Sequence, residues 1–86
     1  MGREYSIVGI NEAITTRVRL LCKDKGWTTN ELIRRSNVNQ STVSEIMSGR
    51  SKYPRIITLE KLARGFGMTL SEFFDDELFL DLNDED

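Results

Sequence analysis

Histidine is missing from this 86-residue chain, and cysteine occurs once, at Cys22. Those two facts exclude Cys/His zinc sites and disulfide frameworks within one chain. Cys22 sits among apolar residues of a helical pattern, the setting of a buried inert thiol and not of a nucleophile. There is no Gly-rich phosphate loop and no pair of carboxylates framed by a pocket pattern, so no catalytic constellation can be named. The expectation is a non-enzyme without cofactor, metal or evident small-molecule ligand. A single Pro and six Gly suit a helical bundle. No apolar run approaches the roughly 20 residues of a membrane span, and no signal peptide is visible, so a cytoplasmic protein without membrane contact is expected. The length fits one small domain.

Basic residues are also missing, but only from one end. Residues 1–74 carry twelve Lys and Arg against seven acids, a balance of +5, while residues 75–86 carry seven acids and no base, a balance of −7. The formal net charge of −2 therefore hides a mildly basic body joined to an acidic tail. Phosphate attraction needs such a body, although +5 is modest. This shift in composition divides the chain into a body, 1–76, and a C-terminal tail, 77–86. Within the tail, Leu78, Phe79, Leu80 and Leu82 are too apolar for a purely solvated segment. They predict either a dimer contact extending the last helix or a fold back onto the body.

What is present is organised around residues 28–49, TTNELIRRSNVNQSTVSEIMSG. The stretch reads as two short helices joined by a tight turn. Thr28, with Glu31 three residues on, predicts a capping box at the start of the first. Leu32 and Ile33 form its apolar stripe, with Arg34 and Arg35 pointing away. Ser36-Asn37 breaks the helix, and Asn tolerates the left-handed backbone such a turn needs. Val38 fills the corner. Asn39 caps the second helix, whose Val43, Ile46 and Met47 recur at helical spacing, and Gly49 ends it. Gln40, Ser41, Ser44 and Glu45 remain on the outward face. Amide, hydroxyl and carboxylate groups near a helix N-terminus suit the base edges of a DNA major groove. On these residues alone an ordinary helical hairpin with a solvated face stays equally open.

The rest of the chain adds to the pattern. A helix over about 11–25 carries Ile14, Val18 and Leu21 inward and stops at Gly26, and Trp27 is expected to plug the space between the first two helices. Thr58 is expected to cap a fourth helix with Leu59, Leu62, Ala63 and Phe66 inward, ending at Gly67. Thr69 or Ser71 starts a fifth, with Leu70, Phe73 and Phe74 apolar. Between the third and fourth helices lies Arg50-Ser51-Lys52-Tyr53-Pro54-Arg55, the densest basic run in the chain. Residues 1–8 show no helical period, and Ile7 and Val8 are expected to pack on the bundle or on a partner. Met1-Gly2 with Ser6 formally fits a myristoylation pattern.

Residues 28–49 resemble the helix-turn-helix of the lambda-repressor/Cro-like (XRE) family of bacterial and phage regulators. Val18-Arg19-Leu20-Leu21 and Lys25-Gly26-Trp27-Thr28 resemble the end of that family's first helix. Ser48-Gly49-Arg50-Ser51-Lys52 and Pro54-Arg55 resemble its loop after the recognition helix. Leu59, Leu62, Ala63, Gly67, Leu70 and Phe73 resemble its last two helices. About 60 of the 86 residues are covered in order without a large gap. The resemblance implies an all-α, five-helix domain that binds double-stranded DNA sequence-specifically and regulates transcription, as a repressor acting as a homodimer on a palindromic or near-palindromic operator. It implies base contacts from Gln40, Ser41, Ser44 and Glu45. Phosphate contacts fall to Thr29, Asn30, Asn39, Thr42, Arg50, Ser51, Lys52 and Arg55. Two departures stand out. Thr29 occupies the place of a phosphate-holding Gln, and its shorter hydroxyl, with neighbouring Asn30 and the backbone amides of the helix N-terminus, implies a weaker contact. Cys22 and Met47 occupy places where many relatives carry an Arg and a Glu that pair inside the fold, and an apolar replacement of both charges together is tolerable. A protein-interaction module, such as an antitoxin-like partner using its acidic segment, is the alternative function.

Overall fold

The computed structural model describes residues 9–83. The expectations placed on Gly2, Ile7 and Val8, and the acids Asp84, Glu85 and Asp86, lie outside the described residues. Five α-helices follow in order: α1 (Ile10–Lys25), α2 (Thr29–Ser36), α3 (Gln40–Ser48), α4 (Ile56–Gly65) and α5 (Leu70–Phe74). A single 3-10 turn, Glu77–Phe79, comes after them. All regular elements among the described residues are helical, as the all-α expectation requires.

The local signals that bracket α2 and α3 act as their chemistry dictates. Thr28 Oγ1 accepts the Glu31 amide at 3.2 Å, and Asn39 Oδ1 accepts the Thr42 amide at 2.9 Å, so each helix has one of its orphan donors satisfied by a side chain. Between them Asn37 takes the left-handed conformation, φ 58°, and is the sole non-glycine residue described that does so. Val38 is buried in the corner. Gly49, φ 81°, closes α3 with its amide on the Ile46 carbonyl.

The core is built from one stripe of each helix. Val18, Leu32, Val43, Ile46, Leu62 and Phe73 are its largest fully buried side chains, drawn from all five helices. Cys22 is buried beside them and Met47 packs at the margin, so the two soft residues stand where an ion pair would have required desolvation. Burial raises the Cys22 thiol pKa above its ordinary value.

Three expectations require correction. The Thr28–Glu31 capping box is only half made: the Glu31 carboxylate bonds Arg34 at 2.5 Å and Arg35 at 2.6 Å instead of turning back to Thr28. Charge-assisted bonds to two guanidinium groups outweigh one neutral amide. The complete box is at α5, between Thr69 and Glu72. α4 starts at Ile56 behind an extended Arg55, two residues before Thr58, with no side-chain cap; Ile56 and Ile57 are consequently exposed in its first turn. Trp27 does not simply plug α1 against α2. It lies half-buried and stacked on Phe66 at the end of α4, centroids 5.5 Å apart, with the Arg35 guanidinium 4.8 Å from its ring centre.

Of the two fates open to the apolar tail residues, Leu78 and Phe79 fold back. Leu78 is buried, and Phe79 packs edge-on against Phe74 at 4.8 Å. The anchor is Arg17 of α1. Its guanidinium donates to the carbonyls of Phe73 (2.7 Å) and Glu72 (3.0 Å) and pairs with Asp76 at 3.2 Å. One cation thus satisfies the carbonyl end of α5 and holds the residue from which the tail departs. Leu80 stays 83% exposed.

Candidate nucleic-acid interface

At 100° per residue, Gln40, Ser41, Ser44 and Glu45 fall within an arc of about 140° on α3, opposite the buried Val43 and Ile46. Gln40, Ser41 and Glu45 are exposed and Ser44 is half-buried. Their side chains make no hydrogen bond or ion pair among the described residues, so their donors and acceptors are available to an outside partner. The helix also offers the amides of its first turn, where Asn39 has taken only that of Thr42. Thr42, half-buried, and Asn39, exposed, stand at this same end.

The N-terminus of α2 is built in the same way. Thr28 takes the Glu31 amide, which leaves the amides of Thr29 and Asn30 unengaged by the helix. Asn30 is exposed and Thr29 half-buried. Glu31 is a carboxylate in the same turn, and its hydrogen bonds to Arg35 and then Arg34 hold its pKa below the ordinary range. Its negative charge is matched by those two neighbours, which in turn are committed to it.

Among the described residues, the arginines differ in whether an internal acceptor holds them. Arg17, Arg19, Arg34, Arg35 and Arg64 each have an internal acceptor. Arg50, Lys52 and Arg55 are exposed and have none among the described residues. Their backbone is nevertheless fixed. The amides of Arg50 and Ser51 both donate to the Glu45 carbonyl, at 2.9 and 3.2 Å, and the Asn11 side chain donates to the Lys52 carbonyl. The basic loop is therefore pinned to the last turn of α3 and to the start of α1, and its charged side chains are free. Ser51 is half-buried in this loop, and Tyr53 is 91% exposed.

Three polar residues of α1 were not singled out by their sequence as part of this region. Besides Asn11, Thr15 Oγ1 donates to the Ile46 carbonyl at 2.8 Å in a buried position, and Arg19 Nε donates to the Met47 carbonyl at 2.7 Å. The signal was their spacing of four residues beside the Ile14–Val18 stripe.

The arrangement presents a polar helix face, flanked by unpaired cations on a fixed loop, which can bond base edges and phosphates at once. Comparison with known proteins agrees. Residues 17–78 match the model of the Cro/C1-type HTH DNA-binding domain. The chain is 37% identical over 57 residues to a competence pilus inhibition repressor of Acinetobacter baylyi, covering 66% of this chain and 51% of that protein. It thus spans about half the length of that relative. Among solved structures it is similar to the prophage Lp1 protein 11, with a TM-score of 0.74 and 28% identity over 88% of this chain and all of that one. An HTH_3 family transcriptional regulator from Vibrio cholerae gives a TM-score of 0.71 at 27% identity, covering 81% of this chain and 39% of the other. No helix among the described residues is long and apolar enough to cross a membrane. A family model matched over most of the chain, on a five-helix frame with α2 and α3 as its helix-turn-helix, leads to one conclusion: the chain belongs to the Cro/C1-type helix-turn-helix DNA-binding family.

Proposed function

We propose that this protein is a sequence-specific binder of double-stranded DNA that represses transcription as a homodimer, acting in the cytoplasm on a palindromic or near-palindromic operator. The observation that carries the reading is the pairing of an unengaged polar arc on α3 with three unengaged cations on the loop that follows it. In this reading Gln40 bonds an adenine through its amide, and Glu45, a turn and a half further along, accepts from a cytosine amino group. Ser41 and Ser44 bond base edges between them. A carboxylate near phosphates repels more than it attracts, so Glu45 contributes discrimination and not affinity. Arg50, Lys52 and Arg55 hold phosphates with Ser51. Asn39 and Thr42 do so at the start of α3, and Thr29 and Asn30 at the start of α2.

Repression is supported by the repressor named among the relatives. The homodimer follows from the few bases one short helix can reach, a number that two-fold symmetry doubles. Ile56 and Ile57 in the first turn of α4, and Leu80 after the 3-10 turn, are exposed apolar side chains available to such a contact.

Selection of bound sequences from random DNA tests the reading directly and should return a two-fold-related consensus. On that consensus Gln40→Ala should lose roughly 1–3 kcal/mol and relax one base position per half-site. Glu45→Gln should shift preference while raising affinity for random DNA. Equal losses on selected and random DNA for both variants would sink the assignment of α3 as the reading helix.

A further inference from the structure

Asn11, Thr15 and Arg19 lie at intervals of four on α1, which places them in one row along that helix. Each donates to a backbone carbonyl of the α3 end or of the basic loop: Lys52, Ile46 and Met47 in turn. The Ile46 and Met47 carbonyls belong to the last turn of α3, where helical partners run out. The Gly49 amide goes to the Glu45 and Ile46 carbonyls, the latter at 3.2 Å, and the Met47 carbonyl is taken by Arg19. A guanidinium there also opposes the negative end of the α3 dipole. The row therefore ties the reading helix and its phosphate loop to one rigid, sixteen-residue helix.

Side chain to side chain, α1 and α3 have little polar means of holding each other, since Cys22 and Met47 carry no charge. The row replaces that coupling with bonds from side chain to backbone. Such bonds fix the axis of α3 whatever residue stands at 47.

We propose that Asn11, Thr15 and Arg19 are positioning residues that set the angle and depth at which α3 meets the base edges, and thereby determine sequence preference without touching a base. The proposal rests on α3 being the reading helix. Phosphate contacts tolerate small displacements because they are long-range and salt-like, whereas a bidentate base contact depends on alignment. Loosening the row therefore erodes specificity before it erodes affinity.

The test is a double variant, Thr15→Val with Arg19→Met, which keeps side-chain volume and removes both donors. Titrations on the selected operator and on random DNA, each over a range of salt, measure the preference. Affinity for the operator should fall about tenfold, the size of one weakened base contact. Random-DNA affinity and both salt slopes should hold steady. Arg19→Lys, which retains a donor, should keep more of the preference than Arg19→Met. In hydrogen exchange, the amides of Gly49, Arg50 and Ser51, all bonded to the last turn of α3, should lose protection in the double variant. A parallel loss on both DNAs with a lowered salt slope would make Arg19 a phosphate contact and overturn the proposal. So would an unchanged ratio of the two affinities in a folded double variant. A parent chain that binds all sequences alike would instead refute the reading of α3 itself, which keeps the two failures distinct.

Discussion

Gly65 is the place where a single added carbon decides between two opposing effects. The residue is helical, in the last turn of α4, and by propensity alone Gly65→Ala would stabilise the protein by about 1 kcal/mol. The added Cβ, however, would lie 3.0 Å from both Cα and Cβ of Ser36 and 3.1 Å from its amide nitrogen. Ordinary carbon contacts begin near ~3.5 Å, so α2 and α4 would have to part by about half an ångström. Two of the three atoms are backbone and cannot swing aside. Ser36 is itself locked, its buried hydroxyl bonding the Leu32 carbonyl at 2.7 Å and receiving the Val38 amide at 3.4 Å. Overpacking of this kind costs about 1–3 kcal/mol. Set against the propensity gain, the variant should be about 1 kcal/mol less stable, a fall in Tm of roughly 4–8 °C for a domain of this size. Circular dichroism melts of the parent and variant measure it. Because Ser36 ends α2 just before the turn into α3, operator affinity should fall as well. An unchanged or higher Tm would show that the two helices have room to spare and that the close crossing is not a constraint.

Three further outcomes follow from other parts of the molecule. Replacing Arg50, Lys52 and Arg55 together by Ala should weaken binding to operator and random DNA alike and flatten the salt dependence of log K by about one unit per lost contact; an unchanged slope would remove the loop from the DNA. Cys22, buried and with its pKa raised, should react with an alkylating reagent at neutral pH only as fast as the fold opens, and rapid labelling of the native protein would contradict its burial. Truncation after Asp76 removes Leu78 and Phe79, side chains worth on the order of 1.5–3 kcal/mol each when fully buried, and should lower Tm sharply before any question of assembly arises. Leu80→Asp isolates assembly: a monomer by sedimentation with an unchanged melt would place the dimer contact at the tail, and an intact dimer would move it elsewhere, with Ile57→Asp the next variant to sediment.

What could be read from the sequence were the features settled within four residues of themselves. Thr28, Asn37, Asn39 and Gly49 announce the ends of α2 and α3 because a cap or a left-handed turn depends on the residue and its near neighbours. The outward arc of α3 was legible for the same reason, since the helical period alone places 40, 41, 44 and 45 opposite 43 and 46. Even within that range one competition was misjudged: Glu31 had an amide three residues behind it and two guanidinium groups three and four ahead, and the charged partners prevailed. Apart from the four-residue spacing of Asn11, Thr15 and Arg19, features that join distant segments left no mark that spacing rules could detect. Arg17 reaches carbonyls more than fifty residues away, Trp27 stacks on Phe66 as well as meeting Arg35 of α2, and Gly65 matters only because Ser36 crosses it.

The same division runs through the binding site and gives it a physical sense. Which groups α3 presents is a local property, written in residues 40–45. Where that helix points is a long-range one, held by α1 side chains that donate to carbonyls 28 to 41 residues further along the chain. If the α3 arc reads bases as proposed, changes within it should alter which bases are preferred while the frame stays intact. Changes in the α1 row should then act on all the bases together, because they would move the helix and not one of its side chains.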